Sequence, residues 1–416
     1  MNNLGFIEKL LDGVEVEWLP LSEVGEFLRG KRFVKADMMS EGAPCIHYGE
    51  MYTHFGIWAD QTKSFLDEDL ASRLRVANTG DVIIVAAGET IEDIGNGTAW
   101  LGVDDVVFHD ACFSFKSTLD PKYVSYYLRT TLFKDQIKKS VSSGKISSIN
   151  AKGLGKAEIP IPCPNNPKKS LEIQAEIVRI LDAFTAMTTE LTTELNLRQQ
   201  QYNYYRDQLL SFDEDEVEWK TLGEVAIVQR GASPRPISKF ITEDEDGVPW
   251  IKIGDTSPGS KYVSKTAQRV TPEGAKRSRI LEVGDFIISN SMSFGRPYIL
   301  GIKGAIHDGW ASISDFNDTL NPDYLYHYLS SNNVQGYWEG KINSGSVSNL
   351  NANIIKTLPV PIPDFSKQEK IVAILDKFDT LTSSLTEGLP REIELRQQQY
   401  EYYRDLLLSF PKSEAA

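Results

Sequence analysis

Residues 197–212, LRQQQYNYYRDQLLSF, return almost unchanged at residues 395–410 as LRQQQYEYYRDLLLSF. Chance does not give that identity, so the chain is a tandem duplication of a unit of about 200 residues. Whatever core one copy builds, the other must build as well. Other segments keep register with the long match. Glu15-Val16-Glu17-Trp18 recurs as Glu216-Val217-Glu218-Trp219, and Arg29-Gly30 as Arg230-Gly231. Gly80-Asp81 matches Gly284-Asp285, and His109-Asp110 matches His307-Asp308. PKYVSYYL at 121–128 matches PDYLYHYL at 322–329, and IPIP at 159–162 matches VPIP at 360–363. IVRILDAF at 177–184 matches IVAILDKF at 371–378. The middles differ: residues 31–79 and 232–283 share little beyond general character. Common ends with divergent middles suit one frame carrying two binding surfaces; drift after duplication is the plainer alternative.

Residues 170–212 carry helical periodicity, with Ile173, Ile177, Ile180, Leu181, Phe184, Met187, Leu191 and Leu195 three and four apart. The segment follows a Pro-rich loop, and Ser170 is placed as its N-cap. About 43 such residues make a helix of roughly 64 Å. The second copy covers about 366–410 with Ser366 as the matching cap, and Gly388-Leu389-Pro390 predicts a break or kink. Apolar stripes of this length pair, so an antiparallel coiled coil is expected. Leu10-Leu11 before Glu15 echoes Leu209-Leu210 before Glu216, which makes the arrangement nearly circular with pseudo-twofold symmetry. The rest of each half reads as mixed α/β, with strands at 81–86 and 285–289 and short helices at 121–130, 132–140 and 322–331. The fold class is therefore α/β (α+β). Expected boundaries are a first α/β domain at 1–168, a central helix at 169–212, a second α/β domain at 213–365, and a C-terminal helix and tail at 366–416.

Apolar residues make up 41% and charged residues 25%, which suits globular domains and excludes a disordered or low-complexity chain. No apolar run approaches the roughly 18 residues of a membrane span, and the first residues carry no secretory pattern. Cys45, Cys112 and Cys163 are far apart, so neither a disulfide framework nor a structural zinc site is expected, and a reducing cytoplasm fits. Catalytic signatures are missing: no phosphate loop, no dinucleotide fingerprint, no HExxH and no GxSxG. The two His-Asp pairs read as turn or core features, because adjacent strand residues face opposite ways. Neither a catalytic nor a metal-ligating set is expected.

Two kinds of segment suit a polyanion. The first is rich in hydroxyls, asparagine and lysine: Lys145, Ser147, Ser148 and Asn150 in the first half, and Lys341, Ser344, Ser346, Ser348 and Asn349 in the second. Such groups hydrogen-bond phosphate oxygens, although solvated turns have the same composition. The second mixes cations and aromatics. It comprises Lys31, Arg32, Lys35, His47, Tyr48, Tyr52 and His54, then Arg230, Arg235, Lys239, Lys252, Ser291, Ser293, Phe294 and Arg296. Side chains of these types read base edges in the major groove. The formal charge of -14 opposes nucleic-acid binding. Acid is concentrated at 213–216 and 243–246, however, so the conflict resolves if a partner neutralises phosphates.

The duplicated layout and its LRQQQY helices resemble the specificity (S) subunit of type I restriction–modification enzymes. EKLLDGVEVEWLPL at 8–21 resembles the type IC branch, as does the doubled tetrapeptide Thr188-Thr189-Glu190-Leu191 and Thr192-Thr193-Glu194-Leu195. Ile288 to Pro297, with Ile306-His307-Asp308-Gly309-Trp310, resembles a target-recognition domain. The resemblance implies a non-catalytic subunit in which each α/β domain reads half of a bipartite site on double-stranded DNA. It implies long helices that set the gap and dock two modification (M) subunits carrying S-adenosylmethionine. Two restriction (R) subunits using ATP and Mg would complete a nuclease. A protein-binding coiled-coil scaffold, or an orphan S-like subunit of a fused restriction–methylation system, are the alternatives. The scaffold predicts that changing Arg296 or Lys145 has no DNA-dependent effect.

Overall fold

The computed structural model describes residues 13–142, 144, 146–257, 259–290, 295–343, 349–384 and 387–410. The chain divides into two compact units: Met1–Thr188 with Leu395–Ala416, and Thr189–Glu394. The boundary of a structural unit therefore does not follow the boundary of the sequence repeat. Each unit takes the tail of its long helix from the other copy.

The first unit holds a five-stranded sheet built from β1 (Gly25–Arg29), β3 (Trp58–Ala59), β4 (Val82–Val85), β5 (Gly97–Trp100) and β7 (Cys112–Ser117). Their order is β1-β7-β4-β5-β3. A second sheet contains β2 (Ala43–Ile46) paired in parallel with β6 (Val106–Phe108). All four residues of β4 are buried, as a continuous apolar run at a sheet centre requires. The second unit repeats the order with β8 (Ile227–Arg230), β10 (Tyr262–Val263), β11 (Phe286–Ser289), β12 (Pro297–Leu300) and β14 (Trp310–Ser314), arranged β8-β14-β11-β12-β10. Its second sheet pairs β9 (Val248–Ile251) in parallel with β13 (Gly304–Ile306).

The repeated motifs meet in space. Val16–Pro20 pairs with Glu158–Pro162, joining EVEW to IPIP, and Glu218–Thr221 pairs with Pro359–Ile362 in the same way. Alternating prolines leave these strands without some ladder donors. Tyrosines of the following motif use the carbonyls: Tyr123 and Tyr127, on α1 (Pro121–Tyr127), donate to Pro160 and Glu158 at 2.8 and 2.6 Å. Tyr324 and Tyr328, on α3 (Pro322–Leu329), do the same for Pro361 and Pro359 at 3.1 and 2.5 Å.

Helix α2 spans Pro167–Leu209, 43 residues without a break. Its N-cap is Asn166, whose carboxamide accepts from the Lys169 amide at 3.1 Å. Ser170, expected at that position, lies inside the helix, is buried, and accepts from Gln174 at 3.0 Å. Pro167 decides this, since proline suits the first helical turn. Likewise Asp364, not Ser366, caps α4 (Phe365–Ser383) by accepting from the Lys367 amide at 2.9 Å. The expected interruption follows, and α5 (Leu389–Leu408) restarts with Pro390 in its first turn.

In the first unit, Ile173, Ile177 and Leu181 of α2 share a core with Tyr400 and Leu407 of α5, and Phe184 stacks on Tyr403 at 5.2 Å. In the second unit, Tyr202 of α2 shares a core with Ile371 and Leu375 of α4, and Tyr205 stacks on Phe378 at 5.8 Å. Leu10 and Leu11 lie outside the described residues.

Buried glutamines pin the helices to the turns that open Pro121–Tyr127 and Pro322–Leu329. Gln174 accepts from the Asp120 amide at 2.9 Å. Gln368 accepts from the Asn321 amide at 2.7 Å and donates to the Thr319 and Pro363 carbonyls at 3.0 and 2.9 Å. Both are fully buried.

Candidate nucleic-acid interface

The divergent middles share more than their sequences suggest. In the first unit β2 runs into Ile46-His47-Tyr48-Gly49-Glu50, and in the second β9 runs into Ile251-Lys252-Ile253-Gly254-Asp255. The His47 amide donates to Glu50 at 2.9 Å, and the Lys252 amide donates to Asp255 at 2.8 Å. The His109 amide reaches the Ile46 carbonyl at 3.2 Å, and His307 reaches Ile251 at 3.1 Å. The guanidinium of Arg29 donates to the Asp110 carbonyl at 3.0 Å, and that of Arg230 to Asp308 at 3.3 Å. The expectation that 31–79 and 232–283 share little is thus corrected: the spacing Ile-x-x-Gly-acid is common to both, and only the displayed side chains differ. Gly30 and Gly231 have no room for a Cβ, which would overlap the carbonyls of His109 and His307. That close approach explains the repeated Arg-Gly.

In the first unit this frame opens a cleft of about 500 Å³ lined by Arg32, Phe33, Lys35, His47, Tyr48, Glu89 and His109, among others. Its wall is aromatic. His47 lies 4.5 Å from Tyr48 and 4.8 Å from His109, and Phe33 lies 5.3 Å from His109. Both imidazoles accept at Nδ1, from the Gly49 amide at 3.2 Å and the Ala111 amide at 3.1 Å. Burial holds both histidines below their ordinary pKa, so they are neutral donors through Nε2 near pH 7. The His-Asp pairs are turn features: in each, the imidazole accepts from an amide two residues on.

Of the expected residues in this unit, Arg32, Lys35, His47 and Tyr48 come together at the cleft. Tyr52 stands behind it, donating to Ala87 at 2.8 Å. Lys31 is tied to the Arg73 carbonyl at 2.7 Å. Ser147 and Ser148 pair with Gly88 and Ala87 beside the cleft, with Ser147 buried. Asn150 caps a short helix, accepting from the Gly153 amide at 2.9 Å. His54 is exposed against Phe55 and does not line the cleft. Glu89 escaped the sequence reading; His109 had been read only as a turn or core feature, and Phe33 lies within the segment 31–35 already singled out.

In the second unit Arg235 is exposed 3.6 Å from Asp308, and Lys252 donates to Gln268 at 2.7 Å. Lys239 is exposed at the end of a short turn, Ile237–Lys239. Arg296 is elsewhere. It lies over Tyr298 and lines a cavity of about 360 Å³ with Tyr202, Arg206 and Asp379, so it faces the helices rather than Arg230 and Lys252. Lys341 lies over Tyr337 at 5.4 Å, and Asn349 is exposed. Lys145, Ser291, Ser293, Phe294, Ser344, Ser346 and Ser348 lie outside the described residues. The acidic runs at 213–216 and 243–246 are exposed and do not line the cleft. Among the described residues no helix is long and apolar enough to cross a membrane, and no cluster could hold a metal ion.

Residues 13–198 and 214–395 both match the family model for the type I restriction modification DNA specificity domain. The chain belongs to the type I restriction–modification specificity subunits. It is 38% identical to the Escherichia coli type I restriction enzyme EcoR124I/EcoR124II specificity subunit, with 100% of this chain and 99% of that protein covered. A putative type I specificity subunit of Haemophilus influenzae is 32% identical, over 98% of this chain and 99% of the relative. Among solved structures, a chain from work on complex assembly and conformational transition of the type I R-M system aligns with a TM-score of 0.60 at 17% identity, covering 94% and 97% of the two chains. The S subunit from M. genitalium aligns with a TM-score of 0.52 at 15% identity, covering 96% and 98%. The same fold thus persists where little sequence does.

Proposed function

We propose that this specificity subunit reads a bipartite target on double-stranded DNA, one half with each unit. It directs adenine methylation by two M subunits and, with two R subunits, restriction. The observation that carries this reading is one hydrogen-bonded frame displaying two different surfaces: His47 and Tyr48 in one unit, Lys252 and Ile253 in the other. A protein that bound the same ligand twice would keep the displayed residues as well as the frame.

Arg32, Lys35, His47 and Tyr48 read bases in the first half-site, and Arg235, Lys239 and Lys252 in the second. Ser147, Ser148, Asn150, Lys341 and Asn349 belong to segments that track phosphates. The recognition domains are residues 1–168 and 213–365, and the helices set the gap. S-adenosylmethionine belongs to the M subunits, ATP and Mg to the R subunits, and the complex acts in the cytoplasm. The tetrapeptide repeat from Thr188 to Leu195 and the segment 8–21 support a place in the type IC branch. With a charge of -14, the chain relies on its partners to neutralise phosphates and binds DNA poorly alone.

The test is co-expression with the cognate M subunit and sequencing of methylated adenines. A single split motif with a fixed gap is the expected result. A stable complex that leaves no motif overturns the reading in favour of a protein-binding scaffold.

A further inference from the structure

The cleft of the first unit carries charges that the fold does not use. Arg29 donates to Asp110, Lys31 to Arg73, and Arg75 to the Arg29 carbonyl at 2.5 Å. Those cations hold backbone. Arg32 and Lys35, on the next segment, are exposed and have no hydrogen-bond or ion-pair partner among the described residues. Glu89, after the strand Ala87–Gly88, is exposed in the same cleft and is likewise unpaired among the described residues.

A carboxylate facing DNA is repelled by every phosphate. It is useful there only where DNA offers a donor. In the major groove the donors are the exocyclic amines of cytosine and adenine, and a lone carboxylate accepts from cytosine N4. A free guanidinium has the complementary preference, a bidentate bond to guanine O6 and N7. The aromatic wall of the same cleft adds no competing cation, because both imidazole Nδ1 atoms accept from backbone amides.

We infer that the first unit reads a G·C base pair, Arg32 bonding guanine and Glu89 accepting from the cytosine of the same pair. Lys35, in the same cleft, is left to read a neighbouring base. This rests on the proposed DNA-reading function and names a specificity-determining residue, Glu89, that the sequence did not single out.

The test uses the full chain assembled with its M subunits. Methylation mapping first defines the wild-type motif. Binding is then measured to that duplex and to duplexes with each base pair replaced in turn, for wild type, Arg32→Ala, Glu89→Ala and Glu89→Gln. Both alanine variants should lose discrimination at one and the same G·C position by ~10-fold or more, with the other half-site unaffected. Glu89→Gln should shift preference at that position toward adenine, which glutamine bonds bidentately. Unchanged discrimination, or relaxation at two different positions, overturns the inference. So does an equal loss of binding across all duplexes, since a base-reading carboxylate governs one position and not overall affinity. A wild-type complex with no motif overturns the underlying function instead, and this inference with it.

Discussion

Gln368→Met tests whether the long helices are anchored to the α/β domains by single buried side chains. The carboxamide is fully buried and makes three bonds, to the Asn321 amide and to the Thr319 and Pro363 carbonyls. Methionine has similar bulk and replaces none of them. Each orphaned buried group costs about 1–3 kcal/mol. Relaxation keeps the sum near the lower end, about 3 kcal/mol. For a unit of this size each kcal/mol lowers the melting temperature by about 2–4 °C, so a fall of roughly 6–12 °C is expected. Gln174→Met removes two bonds, to the Asp120 amide and the Ser170 hydroxyl, and the hydroxyl can turn to another partner. Its effect should be about half as large. Calorimetry of the full chain reads both transitions, and hydrogen exchange in Pro322–Leu329 assigns the one that moves. A fall below about 2 °C for Gln368→Met refutes the anchoring argument. So does an equal or larger effect for Gln174→Met.

Other consequences are open to simpler assays. A third TTEL after Leu195 lengthens α2 by roughly 6 Å, just over one full turn, against about 3.4 Å per base pair. Methylation mapping should show a gap wider by one or two base pairs with both half-sites intact, and altered half-sites would sink the ruler idea. Gly30→Ala and Gly231→Ala each force a Cβ against the carbonyl of His109 or His307, so each should destabilise its own unit by about 1–3 kcal/mol in thermal melts. Burial lowers the pKa of His47 and His109, so the unfolded chain protonates first. The slope of unfolding free energy with pH is then positive, and stability contributed by these neutral imidazoles falls as pH drops through about 6.5. A His47→Gln/His109→Gln chain should show a shallower loss over that range in pH-dependent melts. An unchanged slope would place the titration elsewhere.

The tandem duplication, the two long helices and the break before Leu389-Pro390 were legible because helical periodicity and proline are local properties of the chain. Turn and strand motifs such as 81–86 were legible for the same reason. The caps were misplaced at Ser170 and Ser366 because serine was weighed without the prolines just upstream. The shared frame of the middles escaped notice because its hydrogen bonds use main-chain amides. Only Ile46, Gly49 and Glu50, against Ile251, Gly254 and Asp255, leave a trace in the residues.

The sequence by itself determined that one unit is built twice, that its ends are alike, and that its helices pair. It could not say which cations are free. Lys31 and Arg32 are neighbours of the same charge, yet one is bound to the Arg73 carbonyl and the other lines an open cleft. Arg296 looked like a base-reading residue and lies against Tyr298 beside the helices. Such differences depend on which distant strand brings an acceptor within about 3 Å of a side chain. Only the folded sheet fixes that distance, and so only the tertiary structure separates the charges that hold the backbone from those left to meet a ligand.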